Sequence, residues 1–190
     1  MINTKFFRNI LNQYADYRSE RHQVIQLASD ALRASKQAIF SLHRDKMKDA
    51  ASYLKKAETI FRQLQKKTLK NEALRYEGSY RDAAEEYAEA KLYYQFLNNK
   101  KIDQIKEVKL TADEYLGGIA DLTGELARKA LPYATIGDVK KVEWIKAGVS
   151  DVVEQLIQFD LVGKLRNKYE EVKRNLKKIE EILYDLEVKH

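Results

Sequence analysis

The sequence contains no cysteine, one proline and seven glycines among 190 residues. Without cysteine there are no disulfides, thiolate metal sites or cysteine nucleophiles, and we expect a reducing, cytoplasmic location. No uncharged run exceeds eight residues, whereas a membrane helix needs roughly 20 apolar residues. The first residues do not form a hydrophobic signal segment either. We therefore expect no membrane association.

Turn-forming residues are scarce, while Lys, Glu, Leu and Ala are abundant. This composition favours an all-α protein. Because nothing divides the chain, we predict that residues 1–190 form a single-domain bundle of about six to seven helices. Apolar residues at three- and four-residue steps place these helices at about 5–44, 47–68, most of 72–98, 111–132, 138–160 and 161–187.

Two short motifs indicate where helices begin. Ser79 and Asp82 have the spacing of a capping box inside the third helix, next to Gly78. Thr111 and Glu114 have the same spacing at the start of the fourth helix. The last helix carries an apolar heptad-like stripe, which predicts packing against another helix of this chain or of a neighbouring copy.

Charge is distributed unevenly along the chain. Residues 1–80 contain 16 Lys and Arg against 8 Asp and Glu, whereas residues 81–190 contain 19 against 21. A basic half beside an acidic centre suits a polyanionic partner such as nucleic acid. The alternative is that the lysines are ordinary solvated residues of helical surfaces.

The fourth helix has an unusual acidic face. Asp121 and Glu125 lie one turn apart, and no lysine follows Asp121 at the i+4 position. Such a like-charge pair costs a few tenths of a kcal/mol, roughly. Gly117, Gly118 and Gly124 flank the acids and would let another backbone or a substrate approach closely.

The third helix has a similar acidic face opposite its tyrosines, formed by Asp82, Glu85, Glu86 and Glu89. If this face meets that of the fourth helix, four or more carboxylates converge. Oxygen ligands without histidine or cysteine favour Mg²⁺ or Mn²⁺. The alternative interpretation is two solvated acidic faces.

Other catalytic chemistries find no support. The sequence has no phosphate-binding GxxxxGK[ST] loop, no GxSxG and no HExxH. A di-iron helical bundle would need Glu-x-x-His pairs, but the histidines are His22, His43 and His190 and form none. We interpret His22 and His43 as helix-surface or packing residues.

Several segments together resemble the translin family, and within it the Trax-type subunits. The most specific are YLGGIADLTGEL at 115–126 and EYAEA at 86–90. RSERHQVIQLASDALRASKQAIFSLHR at 18–44 is similar to the family's first helix, and LRNKYEEVKRNLKKIEEILYDLEVK at 165–189 to its last. The resemblance covers nearly the whole chain.

The resemblance implies an all-α fold of about seven helices and assembly into a closed oligomer, commonly an octamer, around nucleic acid. Trax-type subunits supply endoribonuclease activity. By position, their catalytic carboxylates correspond here to Glu86, Glu89, Asp121 and Glu125. We therefore expect these residues to hold Mg²⁺ or Mn²⁺, and we expect a homo-oligomer because one chain would have to bind, assemble and cleave.

The leading hypothesis is a metal-dependent endoribonuclease that acts on single-stranded RNA. We expect Lys36, Arg44, Arg75 and Arg81 to contact the phosphate backbone. One alternative is a non-catalytic protein of the translin type that binds RNA or single-stranded DNA. A weaker alternative is a helical scaffold whose last helix only mediates association.

Overall fold

The computed structural model describes residues 2–188, which form helices and connecting loops with no strand among them. The α-helices are α1 (Thr4–His43), α2 (Met47–Lys70), α3 (Gly78–Leu97), α4 (Ala112–Thr135), α5 (Val139–Leu156) and α6 (Gly163–Val188). A short 3₁₀ helix, Glu72–Tyr76, lies between α2 and α3. The prediction of an all-α fold with about six to seven helices is confirmed, since six α-helices form.

The helices pack as two groups of three. Helix α1 packs against α2 and α3, while α4 packs against α5 and α6. The two groups meet where α3 packs against α4. The apolar stripe of α6 buries Tyr169, Val172, Ile179 and Leu183 within this chain, so its predicted partner helix lies in the same molecule.

The contact between α3 and α4 is very close at Gly118. A Cβ atom at this position would lie 2.6 Å from the Ala88 Cβ and 2.8 Å from the Glu89 backbone nitrogen. Atoms at that separation clash, so only glycine allows the two backbones to approach this far. Gly118 thereby brings the acidic face of α3 next to that of α4, as the sequence predicted for this glycine.

Helix α3 begins differently from the prediction. The capping box of Ser79 and Asp82 does not form, because α3 begins at Gly78 and its N-cap is Glu77, whose side chain makes no capping hydrogen bond. Ser79 lies inside the first turn, and its buried Oγ has no hydrogen-bond partner among residues 2–188. The 3₁₀ helix that precedes α3 sets this start point.

Helix α4 begins as predicted. The Thr111 side chain accepts from the Glu114 backbone N–H at 3.3 Å, and the Glu114 carboxylate accepts from the Thr111 N–H at 2.8 Å. The predicted end at Pro132 is wrong, because α4 continues to Thr135. Pro132 lies in the last turn, where its missing N–H removes only the intrahelical hydrogen bond to the carbonyl four residues earlier.

Within residues 2–188, none of the helices combines the length and the hydrophobicity needed to cross a membrane.

Candidate functional site

The acidic faces of α3 and α4 converge on an open cleft, which we call the acid cleft. It has a volume of about 490 Å³. Its lining comprises Glu89 of α3, residues Ala120, Asp121, Gly124 and Glu125 of α4, and residues Glu171, Arg174 and Asn175 of α6. The two helices therefore bring three of the four predicted catalytic carboxylates onto one surface.

Glu89 is the most deeply buried acid of the cleft. Glu89 is 7% exposed. Within residues 2–188, no lysine, arginine or histidine forms an ion pair with it. Burial, reinforced by the negative charges of Glu86, Asp121 and Glu125, raises the pKa of Glu89 to about 9. An uncompensated carboxyl in a cleft has a strong affinity for a proton or another cation.

Glu86, the fourth predicted acid, lies beside the cleft. Burial raises its pKa, the negative charges of Asp121 and Glu125 add to that effect, and Lys36 opposes it. The Lys36 Nζ is 3.8 Å from the Glu86 carboxylate. All four predicted carboxylates therefore lie close enough to influence one another electrostatically.

Asp121 has a cationic partner that sequence reasoning missed. Lys168 of α6 donates to the Asp121 carboxylate and lies 3.0 Å from the carboxylate of Glu85. Burial still raises the pKa of Asp121, although Lys168 opposes this. No local pattern could have revealed the pair, because Lys168 lies 47 residues beyond Asp121 and reaches it only through the packing of α6 on α4.

Glu125 contacts His43 at the end of α1, through the Nε2 of the imidazole. The His43 Nδ1 is 3.4 Å from the Tyr93 hydroxyl, and the His43 side chain is 13% exposed. The interpretation of His43 as a surface or packing residue therefore missed its contact with a predicted catalytic carboxylate. Arg128 of α4 is a weaker partner, with its guanidinium 3.8 Å from Glu125.

The position of His43 is fixed by a buried lysine. Lys129 of α4 is 1% exposed, and its Nζ donates to the His43 carbonyl at 3.2 Å and to the Asp45 carboxylate at 2.8 Å. These bonds satisfy the carbonyl end of α1, where backbone acceptors lack partners inside the helix. Lys129 thereby ties the end of α1 to the helix that carries Asp121 and Glu125.

The side chains of the acid cleft do not form a ready ligand cage. Among residues 2–188, no three His, Cys, Asp or Glu side chains are arranged so that they could surround one metal ion. The donor chemistry nevertheless suits a hard divalent cation, because the acids that line the cleft supply carboxylate oxygens and its lining contains neither histidine nor cysteine. The buried Glu89 carboxyl, which no cation among residues 2–188 pairs with, also fits a site where a bound cation replaces its proton.

The predicted phosphate contacts fall into two groups. Lys36 is exposed on α1, Arg44 is exposed directly after the end of α1, and Arg81 is exposed in the first turns of α3. Arg75 instead donates two hydrogen bonds to the Glu114 carboxylate, at 2.8 and 2.7 Å. Its guanidinium is therefore bound within the chain, where it supports the start of α4.

Comparison with known sequences gives one family and distant relatives. The sequence model of the translin family matches residues 19–190. Translin of Gallus gallus is 32% identical over 88 residues, which are 46% of this chain and 38% of that protein. An uncharacterized protein of Methanocaldococcus jannaschii is 26% identical over 163 residues, covering 84% of this chain and 72% of that protein. The match thus spans about two fifths of the vertebrate translin.

Solved structures share the fold. Apo-NeC3PO superposes with a TM-score of 0.87 at 20% identity, over 98% of both chains. A complex of AfC3PO with duplex RNA superposes with a TM-score of 0.87 at 21% identity, over 97% of both chains. At such low identity the likeness establishes only the arrangement of the helices. The chemistry of this chain must be argued from its own side chains.

Proposed function

Because the chain belongs to the translin family, we propose that it is a Trax-type, metal-dependent endoribonuclease that binds and cleaves single-stranded RNA. The observation that carries the proposal is Glu89, a buried carboxyl with a pKa of about 9 in a cleft shared with Asp121 and Glu125. Strongly perturbed acids in clefts are typical of functional sites. Support also comes from the related fold of AfC3PO, whose solved complex contains duplex RNA.

In this proposal Glu86, Glu89, Asp121 and Glu125 hold Mg²⁺ or Mn²⁺. When bound, such a cation supplies a water of lowered pKa and a positive charge beside the phosphate. Glu125 can accept a proton, and the His43 imidazole, which contacts it through Nε2, holds its carboxylate in place. Lys168 keeps Asp121 and Glu85 in place at the rim of the cleft.

The phosphate backbone of the RNA would be held by exposed cations next to the acids. Lys36 is the nearest of the predicted set, since it lies 3.8 Å from Glu86. Arg44, directly after α1, and Arg81, on α3, are further exposed cations. Contacts of this kind hold a nucleic acid in register without reading its sequence.

We also propose that the chain forms a homo-oligomer, of the octameric kind that the family resemblance implies. Residues 2–16, which include the first turns of α1, are all exposed. Large apolar side chains are among them: Phe6, Phe7, Ile10, Leu11 and Tyr14. A contiguous exposed apolar surface is typical of protein interfaces. Light scattering on the purified chain should give a mass well above that of one 22.2 kDa subunit.

The test of the nuclease proposal is incubation of labelled single-stranded RNA with the protein in Mg²⁺, Mn²⁺ or EDTA. Cleavage should require the cation and should fall at least about 100-fold in Glu89→Gln and Asp121→Asn, because each removes a charged ligand. Asp82→Asn is the matched control, since Asp82 lies exposed on the same helix as Glu89. Metal-independent cleavage, or full activity in both cleft variants, would reject the proposal.

The second candidate is a non-catalytic protein of the translin type that binds RNA or single-stranded DNA. The observation in its favour is that no metal-binding group of three side chains exists among residues 2–188. It predicts nucleic-acid binding that weakens steeply with salt, does not respond to Mg²⁺ and is unchanged by Glu89→Gln.

A further inference from the structure

Helix α1 exposes an aromatic ring in its last turn. Phe40 is 52% exposed, although the neighbouring residues Ala38 and Ile39 are buried in the core. The Arg44 guanidinium lies over the Phe40 ring, 4.2 Å from its centre. Exposing a large apolar ring to water is unfavourable. The cation–π attraction to Arg44 stabilises one face of the ring.

Phe40 lies in a groove between α1 and α2, which we call the Phe40 groove. The groove has a volume of about 640 Å³. Its lining comprises Ser29, Leu32, Arg33, Lys36, Gln37, Phe40, Ser41 and Tyr53. This lining contains two cations, two aromatic rings and no acid. Its charge complements an anionic ligand that also carries a flat apolar part.

One face of α1 connects the Phe40 groove to two of the predicted catalytic acids. Lys36, Phe40 and His43 follow one another at steps of four and three residues, so they share a helix face. Lys36 lies 3.8 Å from Glu86, and His43 contacts Glu125. Lys36 therefore both lines the groove and lies beside Glu86, one of the predicted catalytic acids.

We propose that Phe40 and Arg44 form a stacking platform for one unpaired base of RNA, with Lys36 holding the adjoining phosphate. The inference rests on the proposed RNA binding and goes beyond it by naming the side chains that receive a base. Aromatic rings bind unpaired bases by stacking, largely irrespective of sequence. A base inside a duplex is already stacked, so the platform favours single-stranded over fully paired RNA.

The test is equilibrium binding of a fluorescently labelled single-stranded oligoribonucleotide in EDTA, measured by anisotropy. Phe40→Ala should weaken binding about tenfold, because one base loses its stacking partner. Phe40→Tyr keeps an aromatic ring and should retain most of the affinity. Phe159→Ala is the matched control, since Phe159 is 51% exposed in the loop between α5 and α6 and should have no effect.

Salt dependence separates the ring from the cations. Phe40→Ala should leave the slope of log affinity against log salt unchanged, whereas Lys36→Met should reduce its magnitude by about one. A fully paired RNA of the same length should lose little affinity in Phe40→Ala. Circular dichroism and light scattering on each variant establish that it is folded and assembled like the parent protein.

Three results would overturn the platform. Unchanged binding by Phe40→Ala would show that the ring receives no base. An equal loss for single-stranded and fully paired RNA would exclude stacking of an unpaired base. A fall in molecular mass would assign Phe40 to a contact between copies of the chain.

The same assay distinguishes this inference from the proposed function. Binding is measured in EDTA and therefore does not depend on cleavage. If Phe40→Ala weakens binding but the parent protein never cleaves RNA, the platform is supported and the nuclease proposal is rejected. If the parent protein cleaves RNA but Phe40→Ala binds it equally well, the nuclease proposal stands and the platform is rejected. Absence of RNA binding by the parent protein would reject both.

Discussion

Glu114 and Glu89 are buried glutamates on the neighbouring helices α4 and α3, and the chain neutralises only one of them. Glu114 is 2% exposed and receives two hydrogen bonds from Arg75 and one from the Thr111 N–H. It also lies in the first turn of α4, where the helix dipole stabilises negative charge. Its charge is therefore fully accounted for by the fold.

Glu89 has none of these partners. It is 7% exposed, its strongest neighbours are other acids, and its pKa is raised to about 9. Burying a carboxyl without a partner opposes folding. The difference indicates that Glu114 serves the structure, whereas the contacts among residues 2–188 give no structural reason for burying the Glu89 carboxyl. A bound divalent cation is the explanation that we propose.

The largest effect should follow from breaking the compensated site. Glu114→Gln leaves the Arg75 guanidinium, 19% exposed, without its counter-ion. We expect the free energy of unfolding to fall by about 3 kcal/mol, as for other buried ion pairs that lose one member. Urea denaturation measures this loss. A change of less than about 1 kcal/mol would mean that the pair contributes little and that the contrast with Glu89 is overstated.

Glu89→Gln should change the free energy of unfolding in the opposite direction. The amide keeps the shape of the side chain and removes the group that must be buried either charged or protonated. In EDTA at pH 7 to 8 we expect an increase of about 2 kcal/mol in the free energy of unfolding. Asp82→Asn, an exposed acid of the same helix, should change stability by less than about 0.5 kcal/mol. Destabilisation by Glu89→Gln would contradict the account.

The stability difference between the parent protein and Glu89→Gln should depend on pH. Folded Glu89 retains its proton up to about pH 9, whereas the unfolded side chain loses it near its ordinary pKa of 4.5. The folded state therefore binds more protons within this window, and the contribution of Glu89 to stability falls as pH rises. Denaturation in EDTA at pH 5 and pH 8 should give a small difference at the first and a large one at the second. Equal differences at both would show that the Glu89 pKa is not raised.

A smaller effect concerns the approach of α3 to α4. Gly118→Ala places a Cβ 2.8 Å from the Glu89 backbone nitrogen, so the helices must separate. We expect a loss of about 1–2 kcal/mol, as for other overpacked contacts. Gly124→Ala is the matched control on α4, since its Cβ would meet only the Asn175 side-chain nitrogen, at 3.6 Å. That change should be neutral or stabilise the helix by up to about 1 kcal/mol.

The parts of the fold that depend on local sequence could be predicted. The Thr111 and Glu114 capping box involves residues three positions apart. Each helix could likewise be predicted from the spacing of apolar residues within its own segment. Gly118 indicated a close contact because a glycine inside a helix needs a reason. The prediction of a Ser79 and Asp82 capping box was wrong, although the spacing matched. The 3₁₀ helix ends directly before Glu77, so Glu77 and not Ser79 is the N-cap of α3.

The partners of the acids could not be predicted in the same way. Lys168, His43 and Arg75 reach Asp121, Glu125 and Glu114 from other elements, over separations of 47, 82 and 39 residues. A sequence pattern shows that an acid lacks a neighbour on its own helix, but it does not show which cation the packing brings to it. For the same reason, sequence alone did not separate the compensated acid from the uncompensated one.

The most direct test of the central claim is a calorimetric titration of Mn²⁺ into the parent protein, Glu89→Gln and Asp82→Asn. The account predicts that the parent protein and Asp82→Asn bind the cation with similar affinity, and that Glu89→Gln loses at least about tenfold in affinity. Absence of Mn²⁺ binding in the parent protein, or equal binding by Glu89→Gln, would contradict it. The acid cleft would then have to be explained without a metal.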